Sequence, residues 1–409
     1  MAPLKQKIMQ VVRAKWLIGF FVISGALCAG LLMLEFTNRY NGGIWLRDFQ
    51  VFYRAGSRAL TGDELFRPVR DGYYSYKYSP TASLIFIPFS LIPFAASEVI
   101  YWLFISALVL AGFYLSLEII FPDFRNADPR ELGLLLVLAA VILGVHIWSE
   151  LTLGQVNHLL LVMYVAIAYL FTRHRPVLLA FIWALSIFIK PFGLILLPYF
   201  AIKKKFREIA WFSGFSAFLF FLPALSFRGN FLNEQRYWFE EMALELRMKA
   251  DVFQPGNKTL VSVIAQFSPV KIIEPGSSYL ILYKIVVLTM VTLLAVVLIR
   301  RGSGLQRPEV LDFAFILALT PLISYTSNNL FGMVELAVFL LLFNFGKLKT
   351  WEKITAGVGF LLIGGNFYNQ LPFEWGVRFY EYYDQISLLS IGTILLLATI
   401  FMVRWRETL

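Results

Sequence analysis

A small number of polar residues in this chain are of the types and spacings that do chemistry. Asp48 opens the segment 47–60, in which Phe49, Phe52, Tyr53, Ala59 and Leu60 recur at helical spacing while Arg54 and Arg58 lie one turn apart on another face. Such a helix suits a membrane interface, with aromatics in the lipid and arginines near headgroup phosphates. Asp48 at its start either caps it or is held for another purpose. Downstream, Arg70 precedes and Lys77 lies within a tyrosine-rich stretch, Tyr73-Tyr74-Ser75-Tyr76-Lys77-Tyr78. The tyrosines fit an aromatic interfacial belt, and the two cations can instead grip a phosphate, where a fixed positive charge stabilises a departing oxyanion. Gln155, Asn157 and His158 open an apolar run. They either bond between helices or face a ligand cavity. Lys190 precedes Pro191 in the middle of another apolar run, where it can snorkel to water or present its ammonium to an anion. Asn257-Lys258-Thr259 and Tyr325-Thr326-Ser327-Asn328-Asn329, with Glu335 nearby, complete the polar set. Asn257 also begins a formal glycosylation sequon.

The elements that must position these residues are apolar. Of 409 residues, 59% are hydrophobic and only 15% charged, and the mean hydropathy is +0.70. A soluble domain carries about 25% charged residues, so that class is excluded. The pattern specifies an all-α polytopic membrane protein, a single integral membrane domain over residues 1–409. At roughly 20 residues per crossing, it has room for about 12 transmembrane helices. A lone cysteine, Cys28, excludes an internal disulfide and a thiolate metal cluster. No phosphate-cradling or dinucleotide-binding glycine loop is present, so neither ATP nor NAD is expected, and no cofactor or metal. The net charge of +10 is read as loop bias, with no nucleic-acid partner.

Basic residues set the expected topology. Clusters at Lys5/Lys7/Arg13/Lys15, Arg173/Arg175, Lys203–Lys205 with Arg207, Arg300/Arg301/Arg307, Lys347/Lys349/Lys353 and Arg404/Arg406 hold half of the 36 lysines and arginines. All are expected in the cytoplasm, with both termini. Residues 16–34 then form an uncleaved first span. The run 177–202 must cross an even number of times, which predicts a hairpin turning at Lys190-Pro191. Residues 81–94, short and interrupted by Pro88 and Pro93, are read as re-entrant or interfacial. Two sizeable outer segments follow, 35–80 and 228–278, with a shorter one at 366–385.

The order of motifs resembles glycosyltransferase family 87. The run Asp48-Phe49-x-Val51-x-Tyr53-x-Ala55-Gly56 is followed by Tyr78-Ser79-Pro80, an apolar helix ending Leu91-Ile92-Pro93-Phe94, Gly154-Gln155-x-Asn157-x-Leu159-Leu160, Lys190-Pro191 and Gly256-Asn257-Lys258-Thr259-Leu260. The likeness covers most of residues 45–330. It departs at Ser79, where the family usually has proline, and at Lys77. The resemblance implies a GT-C fold and polyprenyl-phosphate sugars as donors. It also implies an acidic catalytic base at the start of the first outer loop, the position of Asp48.

The expected function is therefore an inverting hexosyltransferase, mannosyltransferase-like, acting on a lipid-linked or cell-envelope glycan acceptor at the extracytoplasmic side of a bacterial inner membrane. Asp48 is the expected catalytic residue. Arg54, Arg70, Lys77, Tyr78, Gln155, Asn157, His158, Lys190, Asn257 and Lys258 are the expected substrate-binding set. A single base with direct displacement implies inversion, without a second carboxylate to carry a covalent intermediate. The competing class is a transporter or flippase for lipid-linked sugars, which needs ionisable groups near the membrane midplane; most charges here are read as falling in loops.

Overall fold

The computed structural model describes residues 46–248, 258–267, 308–323, 328–365 and 386–406, with isolated residues between 285 and 296 and between 378 and 383. The expected first span at 16–34, Asn257, and most of the segments 268–307 and 366–385 lie outside the described residues. Among the described residues the chain is helical and no strand occurs. The helices are α1 (Arg47–Thr61), α2 (Pro80–Ile85), α3 (Ile87–Ser90), α4 (Phe94–Ile120), α5 (Pro129–Leu153), α6 (Asn157–Thr172), α7 (Pro176–Ile189) and α8 (Leu196–Ile202). They continue with α9 (Phe206–Phe221), α10 (Phe231–Met248), α11 (Leu260–Phe267), α12 (Pro308–Ile323), α13 (Glu335–Phe343), α14 (Thr350–Gly364) and α15 (Leu388–Arg406).

Four helical runs among the described residues are long and apolar enough to cross a membrane: Phe94–Ile120, Pro129–Leu153, Phe206–Leu244 and Leu388–Trp405. Shorter apolar helices cover Asn157–Thr172, Pro176–Ile189, Pro191–Ile202 and Leu330–Phe343. Within Phe206–Leu244 the apolar part is α9. The next helix, α10, carries Glu234, Arg236, Glu240 and Glu241 and is too charged for hydrocarbon. Along α5, Leu134, Val137, Leu138 and Val141 are exposed, an apolar face such as lipid tails would cover.

The hairpin at Lys190-Pro191 forms as its proline dictates. α7 stops at Ile189, and the chain folds back through Pro191–Ile195. Trp183 Nε1 donates to the Gly193 carbonyl at 2.7 Å and stacks on Phe200, so the returning limb lies along α7. A side chain at Gly193 would sit 2.7 Å from Ser186 Oγ and 3.1 Å from Ile187, so the absence of a Cβ lets the two limbs approach closely without shifting these side chains. Residues 81–94 form the short α2 and α3, neither long enough to cross a bilayer.

Two expectations are corrected. The apolar face of α1 does not meet lipid: Phe49, Phe52, Ala55 and Ala59 are fully buried in protein, Phe49 stacked on Tyr101 and Phe52 on Phe86. Helical periodicity identifies an apolar face without saying what covers it. Tyr76 is likewise not part of an interfacial belt; it is buried and donates to the Ser79 carbonyl at 2.8 Å. A few charges do lie on helices: Glu98, Glu150, Asp312 and Glu335 are buried there. Asp312 is held by Lys203 at 2.9 Å and Arg404 at 3.2 Å, joining α12 to the end of α8 and to α15.

Candidate active site

The site is built where the start of α1 meets the loop between α5 and α6. The backbone N–H of Leu46 donates to the Thr152 carbonyl at 2.8 Å, tying the entry of α1 to the end of α5. Leu46 is left-handed at φ 44, and Gly154, which ends α5, is left-handed at φ 70. A side chain at Gly154 would sit 2.9 Å from Leu46 and 3.1 Å from Phe49, so glycine is required both for the turn and for the contact. Tyr101 stacks on Phe49 and donates to the Gln155 carbonyl at 3.2 Å. One aromatic side chain of α4 thus holds both halves of the site.

Asp48 does not cap α1. The capping position is Leu46, which makes no side-chain cap, and the Asp48 carboxylate accepts instead from Gln155 Nε2. Burial pushes the Asp48 carboxyl above its ordinary range; the Lys190 charge opposes this, the Glu150 charge adds to it, and the Gln155 hydrogen bond and Arg47 oppose it.

On the other side of the same loop, Lys190 Nζ donates to Asn157 Oδ1 at 2.7 Å. The ammonium lies 5.8 Å from the Tyr78 ring and 5.9 Å from the Phe192 ring, within cation–π range of both. Asn157 in turn donates through Nδ2 to Glu150 Oε1 at 2.6 Å. Glu150 Oε2 accepts the backbone N–H groups of Asn157 at 3.1 Å and His158 at 3.2 Å, the first donors of α6, and His158 Nδ1 stands 3.7 Å from the same oxygen. Behind His158, Glu335 at the start of α13 accepts from Ser116 Oγ at 2.9 Å.

Ser79 joins this cluster to the short helices. Its hydroxyl accepts from Ala82 N at 3.0 Å, capping α2, and donates to the Phe188 carbonyl at 2.5 Å, two residues before Lys190. The serine that departs from the resembled motif is therefore fully used.

Of the residues singled out from sequence, the structure gathers Asp48, Tyr78, Gln155, Asn157, His158 and Lys190 into one cluster. Arg54 is half-buried on α1 and, with Arg67, adds its charge to that of Arg58, whose paired hydrogen bonds at 2.6 and 2.7 Å hold Asp71 below the usual carboxylate range. Arg70 and Lys77 are exposed. Lys258 is buried elsewhere, against α15, where its carbonyl accepts from Ser390 at 2.7 Å; burial lowers its ammonium to about 8. An open crevice of about 930 Å³, rimmed by Arg173, His174, Arg175 and Arg207, lies at the far end of α6 from Asn157 and is separate from the cluster.

Glu150 is the residue that sequence reasoning missed. The signal was present: a carboxylate in the last turn of a long apolar helix opposes the helix dipole and is costly near hydrocarbon unless it has specific partners. Its presence also means that a second carboxylate does lie near Asp48, but its oxygens are occupied by two backbone donors and an amide.

The model of glycosyltransferase family 87 matches residues 76–325, more than half of the chain. The matched segment contains Tyr78, Glu150, Gln155, Asn157, His158 and Lys190 and begins after Asp48. Comparison with curated proteins found no match.

Proposed function

The chain belongs to glycosyltransferase family 87, and from that premise we propose that it transfers a hexose, mannose foremost, from a polyprenyl-phosphate donor to a hydroxyl of a lipid-linked or cell-envelope glycan. The observation that carries this reading is the pairing, across one loop, of a half-buried carboxylate with a fixed ammonium. Asp48 is held by Gln155 and Lys190 by Asn157, two residues apart.

In this reading Asp48 is the general base. The acceptor oxygen attacks the anomeric carbon, its proton passes to the Asp48 carboxylate, and the bond from that carbon to the phosphate oxygen breaks with its electron pair leaving on the polyprenyl phosphate. Lys190 stabilises the charge that develops on the departing phosphate, and Tyr78 lines the same side. A raised carboxyl at Asp48 strengthens it as a base while Lys190 keeps it ionised. Glu150 is committed to the start of α6 and is not open to attack the sugar, so direct displacement inverts the anomeric centre. Arg54, Arg70, Lys77 and Lys258 act at greater distance, on headgroups or the acceptor. The distribution of basic clusters supports an extracytoplasmic site in an inner membrane.

The test is incubation of the purified protein with labelled polyprenyl-phosphate sugars and a total lipid extract. A labelled glycolipid with inverted anomeric configuration is expected. Movement of the labelled lipid across vesicles with no glycosidic bond formed would replace this reading with transport.

A further inference from the structure

We propose that Glu150 is a positioning residue that fixes the polarity of the Asn157 amide and through it the place of the Lys190 ammonium. This rests on the reading of Lys190 given above and adds a residue to it.

The argument is one of donors and acceptors. An ionised carboxylate only accepts hydrogen bonds and an ammonium only donates them. Asn157 lies between the two, 2.6 Å from Glu150 through one end of its amide and 2.7 Å from Lys190 through the other. Only one amide orientation satisfies both neighbours: the NH₂ toward Glu150 and the oxygen toward Lys190. The carboxylate therefore determines which end of Asn157 faces the ammonium. The amide also keeps Lys190 from collapsing onto Glu150 as a direct ion pair, which would draw the cation away from the Asp48 side of the loop.

Glu150 also receives the first N–H groups of α6, so a role as helix cap alone must be separated from the positioning role. The two roles differ in what an amide at position 150 does. In Glu150→Gln the new Oε1 can still accept both backbone N–H groups, so capping survives. Its Nε2 then meets Asn157 Nδ2, donor against donor, and relief requires the Asn157 amide to flip and present its NH₂ to the Lys190 ammonium. The pair Glu150→Gln with Asn157→Asp repairs this. In the double variant the amide at position 150 no longer opposes a donor, because its Nε2 can donate to the new carboxylate at position 157. That carboxylate accepts from Lys190 as well, and the local charge is unchanged.

The experiment measures kcat and donor KM for the wild type, Glu150→Gln, Asn157→Asp and the double variant. In the same proteins it measures the rate at which Lys190 is acylated by an amine-reactive reagent, followed by mass spectrometry. Glu150→Gln is expected to lose roughly tenfold to a hundredfold in kcat, the scale of one misdirected hydrogen bond to a charged group, and to acylate faster at Lys190. The double variant is expected to recover to within a few-fold on both readouts. Wild-type turnover and Lys190 reactivity in Glu150→Gln would reduce Glu150 to a cap and overturn the proposal, as would a folded double variant no better than either single one. The acylation readout needs no sugar donor, so it judges the amide polarity even if glycosyl transfer from polyprenyl phosphates is not found.

Discussion

Replacing Gly56 with alanine tests whether the packing of α1 sets the position of Asp48. Gly56 lies in mid-helix, where alanine ordinarily stabilises by about 1 kcal/mol. Here a Cβ would stand 2.5 Å from the Phe86 carbonyl oxygen, 2.6 Å from its carbon and 3.0 Å from Ile87 N, all backbone atoms at the α2–α3 junction that cannot rotate away. Ordinary contact begins at 3.4 Å, so α1 must retreat by about 0.9 Å. Overpacking of this kind costs roughly 1–3 kcal/mol, which outweighs the helix preference and makes the net effect destabilising. Asp48 is eight residues along the same rigid helix, about 12 Å away, and is carried with it. A displacement near 1 Å at a reacting group costs on the order of 10²-fold, so kcat is expected to fall between tenfold and a hundredfold. The assay pairs thermal unfolding in detergent with turnover of the labelled donor. A Gly56→Ala protein with unchanged or raised thermal stability and wild-type kcat would refute the close approach and the coupling together.

Other expectations follow from the same geometry. Gln155→Leu removes the donor that favours the ionised Asp48 carboxyl, so the acid limb of the kcat/KM pH profile should move to higher pH; a limb unmoved or shifted down would contradict the assignment. Glu234 on α10 accepts from Leu65 N at 3.2 Å, and burial pushes its carboxyl up to about 7. Between pH 4.5 and 7 the folded chain holds a proton that the unfolded chain has released, so this residue's contribution to stability falls as pH rises through that window. Thermal unfolding of Glu234→Gln should show a shallower pH dependence there, and an identical slope would count against the buried carboxyl. Ser79→Ala removes the α2 cap, worth about 1 kcal/mol, and the donor to the Phe188 carbonyl, so it should lower the thermal midpoint and raise donor KM by loosening the base of Lys190. An unchanged midpoint would show that these bonds are dispensable.

Much of the helical frame could be read from residue types alone, because hydrocarbon burial leaves long unmistakable runs. The helix expected over 47–60 forms over Arg47–Thr61, and the break expected at Lys190-Pro191 is where α7 ends. The amide loop was legible too, since Gln155 and Asn157 are conspicuous beside apolar sequence. What covers each apolar face was not legible. Phe49 and Phe52 have the periodicity of a lipid-facing stripe, yet Tyr101 and Phe86, dozens of residues away, take that place. Tyr76 and Tyr78 share a tyrosine-rich stretch, but one is buried against Ser79 while the other flanks Lys190, a distinction made only by tertiary packing. Glu150 escaped because it sits at the very end of a continuous apolar helix, and its partners come from the loop beyond it.

The central claim is that the Asp48 carboxylate removes the acceptor's proton. Its most direct test compares wild type with Asp48→Asn for donor binding and single-turnover transfer. The asparagine side chain can still pair with Gln155 after an amide flip, so donor affinity and thermal stability should stay close to wild type while the transfer rate falls by about 10²–10⁴-fold. An Asp48→Asn protein that transfers sugar at the wild-type rate would contradict the account.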